Sequence, residues 1–132
     1  MNQQEAHNKF IFNPKIDSGF LFNLYEEDYP YILEVFTSTA EELDGTLADL
    51  ANAYHSGSPA GLKKAAHKMK PLFGFTGLLQ AQDAVAEFEA HCNSVTWLEA
   101  LELPYQSLLT LVNEGKSTIV SEQKRLQEFL AS

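Results

Sequence analysis

The spacing of the apolar residues limits what this chain can fold into. Between residues 28 and 56 the apolar side chains recur at intervals of three and four, which places them on one face of a helix: Ile32, Val35, Phe36, Leu43, Leu47, Leu50, Ala51 and Tyr54. No stretch of the chain sustains the alternation of apolar and polar residues that is typical of a strand. The pattern therefore predicts an all-α protein.

Capping signals divide the first part of the chain into two helices. Asp17 or Ser18 can cap a short helix that runs to about Tyr25. Asp28 can cap a second, longer helix with Pro30 in its first turn, where proline is tolerated. This second helix should stop at Ser56-Gly57.

Three more helical segments are expected after residue 57. Ser58-Pro59 combines an N-cap with a proline at the first helical position, so a third helix should start there and weaken at Gly74 and Gly77. A fourth helix should run from near Leu78 to about Cys92. The last segment should extend from about Trp97 to Leu130, with Trp97 anchoring it in the core and Pro104 beginning its main part.

Short joins between amphipathic helices predict an up-and-down four-helix bundle with a short additional N-terminal helix. The length of 132 residues fits one domain. We assign residues 16–132 to the bundle and residues 1–15 to an N-terminal leader. We expect Phe10 and Phe12 to order part of this leader by packing on the domain.

Composition excludes several classes of function. The net charge of −9 argues against nucleic acid as a partner, because binding to a phosphate backbone needs a basic surface. A single cysteine, Cys92, makes an internal disulfide impossible, and no set of ligands suggests a metal site. No apolar run approaches the ~18–20 residues of a membrane span, and the N-terminus lacks a signal peptide. We therefore expect a cytoplasmic protein that binds no membrane and is a monomer.

The charges concentrate around one histidine in the third predicted helix. Lys63, Lys64, Lys68 and Lys70 are four of the nine basic residues of the chain, and they fall within the eight positions that also contain His67. The helical arithmetic of ~100° per residue places His67 on the solvent side of the helix. Such a cluster on an acidic chain suggests a site for an anion.

The residues that follow the histidine suggest a surface for a partner. Pro71 comes four residues after His67, where it removes a hydrogen bond at an interior cost of ~3 kcal/mol. Gly74 should leave the approach to the histidine open, and Phe75 should project outwards, which is unusual for a large apolar side chain without a partner. The helix itself offers no neighbouring carboxylate that could orient the imidazole.

Two interpretations of His67 follow from these residues alone. It is either an ordinary surface histidine among solvated lysines, or a nucleophile that takes up a phosphoryl group which the lysines attract. The chain contains no Gly-rich phosphate loop and no kinase signature, so we expect no ATP-dependent kinase activity of its own.

The run Ala66-His67-Lys68-Met69-Lys70, with Gly77 ten residues after the histidine, resembles the histidine-containing phosphotransfer (HPt) domain of bacterial phosphorelays. The stretches 24–36 and 84–89 resemble the same family, and the likeness covers about residues 15–131. Pro71 stands where the family usually has glycine; the His-Lys-Met-Lys-Pro form is similar to HPt domains of the Bacteroidetes type.

The resemblance implies a four-helix bundle in which His67 accepts a phosphoryl group from a receiver-domain aspartate and passes it to another receiver. It implies that Lys70 helps to neutralise this group, and that Lys63, Lys64, Pro71, Gly74 and Phe75 form the surface that meets the partner. Response-regulator receiver domains and a hybrid sensor histidine kinase would be the partners. The chain would need no cofactor, because Mg²⁺ would be bound by the receiver.

Two other functions remain open on the sequence. A helical interaction module could dock a partner through Lys63, Lys64 and Phe75 without any chemistry. A metal-binding bundle is a weaker alternative, because His7, His55 and His91 do not converge with further ligands at helical spacing.

Overall fold

The computed structural model describes residues 9–95 and 97–132, so residues 1–8 of the predicted leader lie outside the described residues. Five α-helices and one short 3₁₀ helix occur in this part of the chain. Their bounds are α1 Ser18–Tyr25, α2 Tyr29–His55, α3 Pro59–Phe75, α4 Leu79–Ser94, the 3₁₀ helix Leu98–Leu101, and α5 Glu102–Ala131. These bounds lie within about two residues of the predicted ones, apart from the 3₁₀ helix, which the sequence pattern did not predict.

The predicted caps begin the first three helices. The side chains of Asp17, Asp28 and Ser58 each accept a hydrogen bond from the backbone N–H three residues further along the chain. These bonds satisfy N–H groups that the first turn of a helix leaves without a partner. The caps fix where these helices begin, and the joins that precede α2 and α3 are only three residues long, residues 26–28 and 56–58.

Helices α2 to α5 form the predicted up-and-down four-helix bundle, and α1 is the short additional helix. Helix α3 packs against α2 on one side and α4 on the other, while α5 packs against α2 and α4 and closes the bundle. Gly115 of α5 permits a close approach to α3, since a Cβ atom there would lie 2.7 Å from Cε1 of Phe73. Helix α3 is therefore fixed on three sides, and its fourth side faces solvent.

An irregular segment of residues 9–17, which we call the N-terminal strap, seals one end of the bundle. Phe10 and Phe12 are buried in the core, and the Phe10 ring packs edge-on against Phe129 with a centroid distance of 5.5 Å. The carboxylate of Glu122 accepts a hydrogen bond from the Asn13 N–H at 2.9 Å. The strap therefore contributes both apolar contacts and a polar anchor to the fold.

The expectation that Trp97 anchors the last segment in the core is wrong. Its side chain is 71% exposed, whereas Leu101 at the end of the 3₁₀ helix is fully buried. The 3₁₀ helix reorients the chain after the join and turns Leu101 inwards, so this smaller residue makes the core contact.

Every helix within the described ranges falls short of the length or the hydropathy that a membrane span requires.

Candidate functional site

The core-facing stripe of α3 determines which of its residues reach solvent. Leu62, Ala66, Met69 and Phe73 are fully buried and share one side of the helix. His67 lies away from that stripe, and its side chain is 70% exposed. The predicted position of the histidine on the solvent side is confirmed.

A carboxylate from the neighbouring helix contacts the histidine. Glu89 of α4 places Oε1 2.9 Å from Nδ1 of His67 and Oε2 2.9 Å from Nζ of Lys70. Its side chain is only 14% exposed, so both oxygens are directed at these two partners rather than at bulk water. Glu89, His67 and Lys70 form one network across the α3–α4 interface, which we call the Glu89 bridge.

The observation that the site helix itself offers no carboxylate for the imidazole is correct, and the sequence analysis did not identify Glu89, 22 positions further along the chain, as the residue that supplies one. The sequence pattern of α4 does contain a signal that Glu89 contacts a neighbouring helix. Glu89 follows Val85 by four positions and Phe88 by one, so it lies at the margin of the buried stripe of α4. A carboxylate at the margin of an apolar stripe needs a partner on the adjacent helix.

The Glu89 bridge sets the tautomer of the histidine. An ionised carboxylate only accepts hydrogen bonds, so Nδ1 of a neutral His67 must carry the proton that it donates to Oε1. The other ring nitrogen, Nε2, then keeps its lone pair. The result is an exposed imidazole whose nucleophilic nitrogen is defined by a fixed neighbour.

The same contacts act on the acid–base behaviour of the carboxylate. The hydrogen bond from the Lys70 ammonium group, and after it the hydrogen bond from His67, hold the pKa of Glu89 below its usual value of 4.5, although partial burial opposes this shift. Glu89 is therefore ionised at neutral pH, as its role as an acceptor requires.

An open groove of about 960 Å³ surrounds the histidine. Pro71 and Phe75 line it together with Lys68 and Lys70, and α3 continues through Pro71 to its end at Phe75. The groove also reaches α2 and α4 through Glu42, Gly45, Thr46, Asp49, Gln82, Asp83 and Ala86. We call it the His67 groove.

The remaining predicted surface residues lie around this groove in different ways. Lys63 and Lys64 are exposed on the first half of α3, outside the lining of the groove. Gly74 is buried, contrary to the expectation of an open surface position. A Cβ atom at Gly74 would lie 2.5 Å from Nε2 of Gln82, which donates a hydrogen bond to the Lys70 carbonyl at 3.3 Å. The glycine serves close packing between α3 and α4.

Helix α1 holds the end of α3. The N–H of Asp17 donates to the Gly77 carbonyl at 2.9 Å, and the Tyr25 hydroxyl donates to the Phe75 carbonyl at 2.9 Å. Gly77 has a φ of +73°, and a Cβ atom there would lie 3.1 Å from Ile16 and Leu21 atoms, so glycine is required at this position. The last turn of the site helix is thus fixed by the segment that precedes the bundle.

No group of three or more histidine, cysteine or acidic residues within ranges 9–95 and 97–132 is placed to hold a metal ion. The Glu89 bridge itself brings together one imidazole, one ammonium group and one carboxylate.

Comparisons with models of protein families and with curated proteins give no significant match. Among solved structures, the chain is similar to the HPt domain of an Hpt sensor hybrid histidine kinase from Shewanella, with a TM-score of 0.71 and 17% sequence identity. The alignment covers 84% of this chain and 95% of that domain. The helical bundle described above is therefore the fold of a histidine-containing phosphotransfer domain.

Proposed function

We propose that the protein is a phosphorelay carrier that accepts a phosphoryl group on Nε2 of His67 from a receiver-domain aspartate and passes it to a second receiver. The observation that carries the proposal is the Glu89 bridge, which leaves Nε2 as the free nitrogen of an exposed imidazole. The fold and the resemblance of the segment around His67 to HPt domains support the same role.

The transfer needs one bond to form and one to break. The lone pair of Nε2 attacks the phosphorus atom of the aspartyl phosphate, and the bond between phosphorus and the aspartate oxygen breaks with its electron pair on that oxygen. The receiver regains its carboxylate, and His67 carries the phosphoryl group on Nε2. The Nδ1 proton stays in the hydrogen bond to Glu89, whose negative charge stabilises the positive charge that develops on the ring.

Lys70 and the exposed lysines balance the charge of the transferred group. The Lys70 ammonium group, which Glu89 holds at 2.9 Å, exchanges this partner for a phosphoryl oxygen. Any Mg²⁺ would be held by the receiver, where it would neutralise the aspartyl phosphate. The same arrangement works in reverse towards the second receiver, because the proton on Nδ1 does not have to leave in either direction.

The experiment that tests this role is phosphotransfer profiling. Receiver domains encoded in the same genome are labelled with ³²P on their aspartates and mixed with the protein. We expect rapid transfer from at least one receiver to give a label that is labile in acid and stable in base. The His67→Gln variant should carry no label, and the control variant His91→Gln, which changes another exposed histidine, should be labelled as fast as the wild type. Label on the His67→Gln variant would show that another residue accepts the phosphoryl group and would exclude His67 as the site of transfer.

A non-catalytic interaction module predicts a different result. His67→Gln would then leave partner binding intact, and no receiver would label the wild-type protein.

A further inference from the structure

A histidine that carries a phosphoryl group has to keep it between two transfers. The His67 side chain is 70% exposed and lies in an open groove of about 960 Å³. Water therefore reaches a phosphorus atom on Nε2 whenever no other protein covers the groove. Hydrolysis then competes with transfer, and the outcome depends on how readily the bond between phosphorus and nitrogen breaks.

The proton on Nδ1 decides how good a leaving group the ring is. When the bond between phosphorus and Nε2 breaks, its electron pair stays on Nε2. A ring with a proton on Nδ1 leaves as neutral imidazole, whereas a ring without it leaves as imidazolate, which is a far stronger base and a poor leaving group. The lability of phosphohistidine in acid and its stability in base have the same origin. The lifetime of the phosphorylated state therefore depends on the group that contacts Nδ1.

Glu89 is placed to keep a proton on Nδ1. Its Oε1 lies 2.9 Å from this nitrogen, and its side chain is only 14% exposed. The hydrogen bond from Lys70, and after it the one from His67, lower the pKa of Glu89 from its usual value of 4.5, so the carboxylate is ionised at neutral and alkaline pH. Because an ionised carboxylate only accepts hydrogen bonds, it favours the form of the ring that has a proton to donate.

The other charged groups around the imidazole carry both signs. They act through the water of an open groove, which screens them. Within the described ranges, the one side chain that is hydrogen-bonded to the imidazole is that of Glu89, so its effect on the Nδ1 proton should exceed theirs. The remaining groups are lysines of α3 and carboxylates of α2 and α4: Lys63, Lys64, Lys68, Lys70, Glu42, Asp49 and Asp83.

We propose that the protein hydrolyses its own phosphohistidine when no receiver is bound, and that Glu89 sets the rate by holding the proton on Nδ1 of the phosphorylated ring. This inference rests on the proposed function. The bond between phosphorus and Nε2 breaks, a water oxygen forms the new bond to phosphorus, and inorganic phosphate leaves as H₂PO₄⁻. The neutral imidazole keeps its Nδ1 proton and can be phosphorylated again. The carrier thus limits by itself how long it stores a phosphoryl group.

The test measures the lifetime of the phosphorylated protein. The wild type and its variants are phosphorylated with phosphoramidate, a small phosphoryl donor that needs no docking surface, and are freed of the donor by gel filtration. Release of inorganic phosphate at pH 8 is followed by ³¹P NMR. Glu89→Gln should release phosphate about threefold to tenfold more slowly than the wild type, because an uncharged amide holds the Nδ1 proton less strongly.

A change of pH separates this effect from a change of structure. At pH 5.5 the solution supplies the Nδ1 proton in both proteins, so their rates of release should agree within about twofold. Glu87→Gln is the control, because it makes the same change of charge at an exposed position of α4 outside the His67 groove, and it should match the wild type at both pH values. If Glu89→Gln is at least as fast as the wild type at pH 8, or slower by the same factor at both pH values, the role of Glu89 is overturned.

Two further outcomes separate this inference from the proposed function. If phosphoramidate labels His67 but the wild type releases phosphate no faster than free phosphohistidine at pH 8, self-hydrolysis is overturned and the carrier role is intact. If neither phosphoramidate nor any labelled receiver phosphorylates His67, the carrier role is overturned and this inference with it.

Discussion

Glu89 and Glu122 are both largely buried carboxylates, one on α4 and one on α5, and each uses both oxygens to hold two partners. Glu122 is 2% exposed; Oε2 accepts from the Asn13 N–H at 2.9 Å and Oε1 from the Arg125 guanidinium at 2.6 Å. Arg125 also donates to the Ile11 carbonyl at 3.0 Å and stacks over the Phe10 ring. The partners of Glu122 are a backbone amide and a planar group that is itself fixed.

The partners of Glu89 have much more freedom. His67 and Lys70 present the ends of side chains that reach solvent, and each can move without disturbing the backbone. One carboxylate therefore fastens a segment to the bundle, while the other links two side chains of α3, one of which it would release in the proposed transfer. Exposure of the partners does not distinguish the two bridges, since the Arg125 side chain is 46% exposed and the Lys70 side chain 34%. The difference lies in what anchors the partners: one partner of Glu122 is a backbone amide and the other is itself bonded to the strap, whereas both partners of Glu89 are side-chain ends on one helix.

Loss of the Glu122 carboxylate should have the largest effect, and it should lower the stability of the fold. Glu122→Ala removes the acceptor of both the strap amide and the Arg125 guanidinium, and should lower the free energy of unfolding by roughly 2–4 kcal/mol. Urea denaturation followed by circular dichroism measures this loss. The control Glu114→Ala, at an exposed position of the same helix, should change the free energy by less than about 0.5 kcal/mol. Equal losses in the two variants would show that Glu122 does not anchor the strap.

The sequence predicted the bundle because its signals are local. Periodicity within each helix and the caps at Asp17, Asp28 and Ser58 depend on residues within one or two turns, and the structure reproduces them. The exposure of His67 follows from the same arithmetic. These features need no knowledge of how the helices are arranged around one another.

The missed features depend on contacts between distant segments. Glu89 meets His67 only because α3 and α4 pack side by side, and Gly74 is buried for the same reason. Trp97 is exposed because a 3₁₀ helix at the start of the last segment turns Leu101 inwards instead. A residue's place on its own helix can be read from the sequence, whereas its partner on the next helix depends on the rotation and depth of packing.

The next effect concerns the reactivity of the histidine. Glu89→Ala removes the group that fixes the imidazole tautomer, and should slow the labelling of His67 by phosphoramidate by roughly tenfold to a hundredfold at pH 7. Glu89→Gln keeps an oxygen that accepts from Nδ1 but loses the charge, so it should recover part of the rate. Mass spectrometry of the phosphorylated protein over time gives these rates, and ¹⁵N spectra of the imidazole report the tautomer. If the tautomer and the labelling rate were unchanged in the alanine variant, Glu89 would pair with Lys70 without orienting the imidazole.

The smallest effect is a dependence of stability on pH that should be traceable to the Glu89 bridge. The hydrogen bonds from Lys70 and then His67 lower the pKa of Glu89 in the folded protein from the usual 4.5, so the unfolded chain takes up a proton at a higher pH than the folded one. The stabilisation is therefore fully present above about pH 4.5 and is lost as the pH falls through the lower pKa of the folded state.

Urea denaturation between pH 6 and pH 3 should show the wild type losing up to about 1 kcal/mol more than Glu89→Gln over this range, since His67 and Lys70 are partly in water. Glu114→Gln should follow the wild-type curve, because that carboxylate is exposed. Parallel curves for the wild type and Glu89→Gln would mean that the bridge positions His67 and Lys70 without stabilising the fold. Of the two carboxylates, only Glu122 would then contribute to stability.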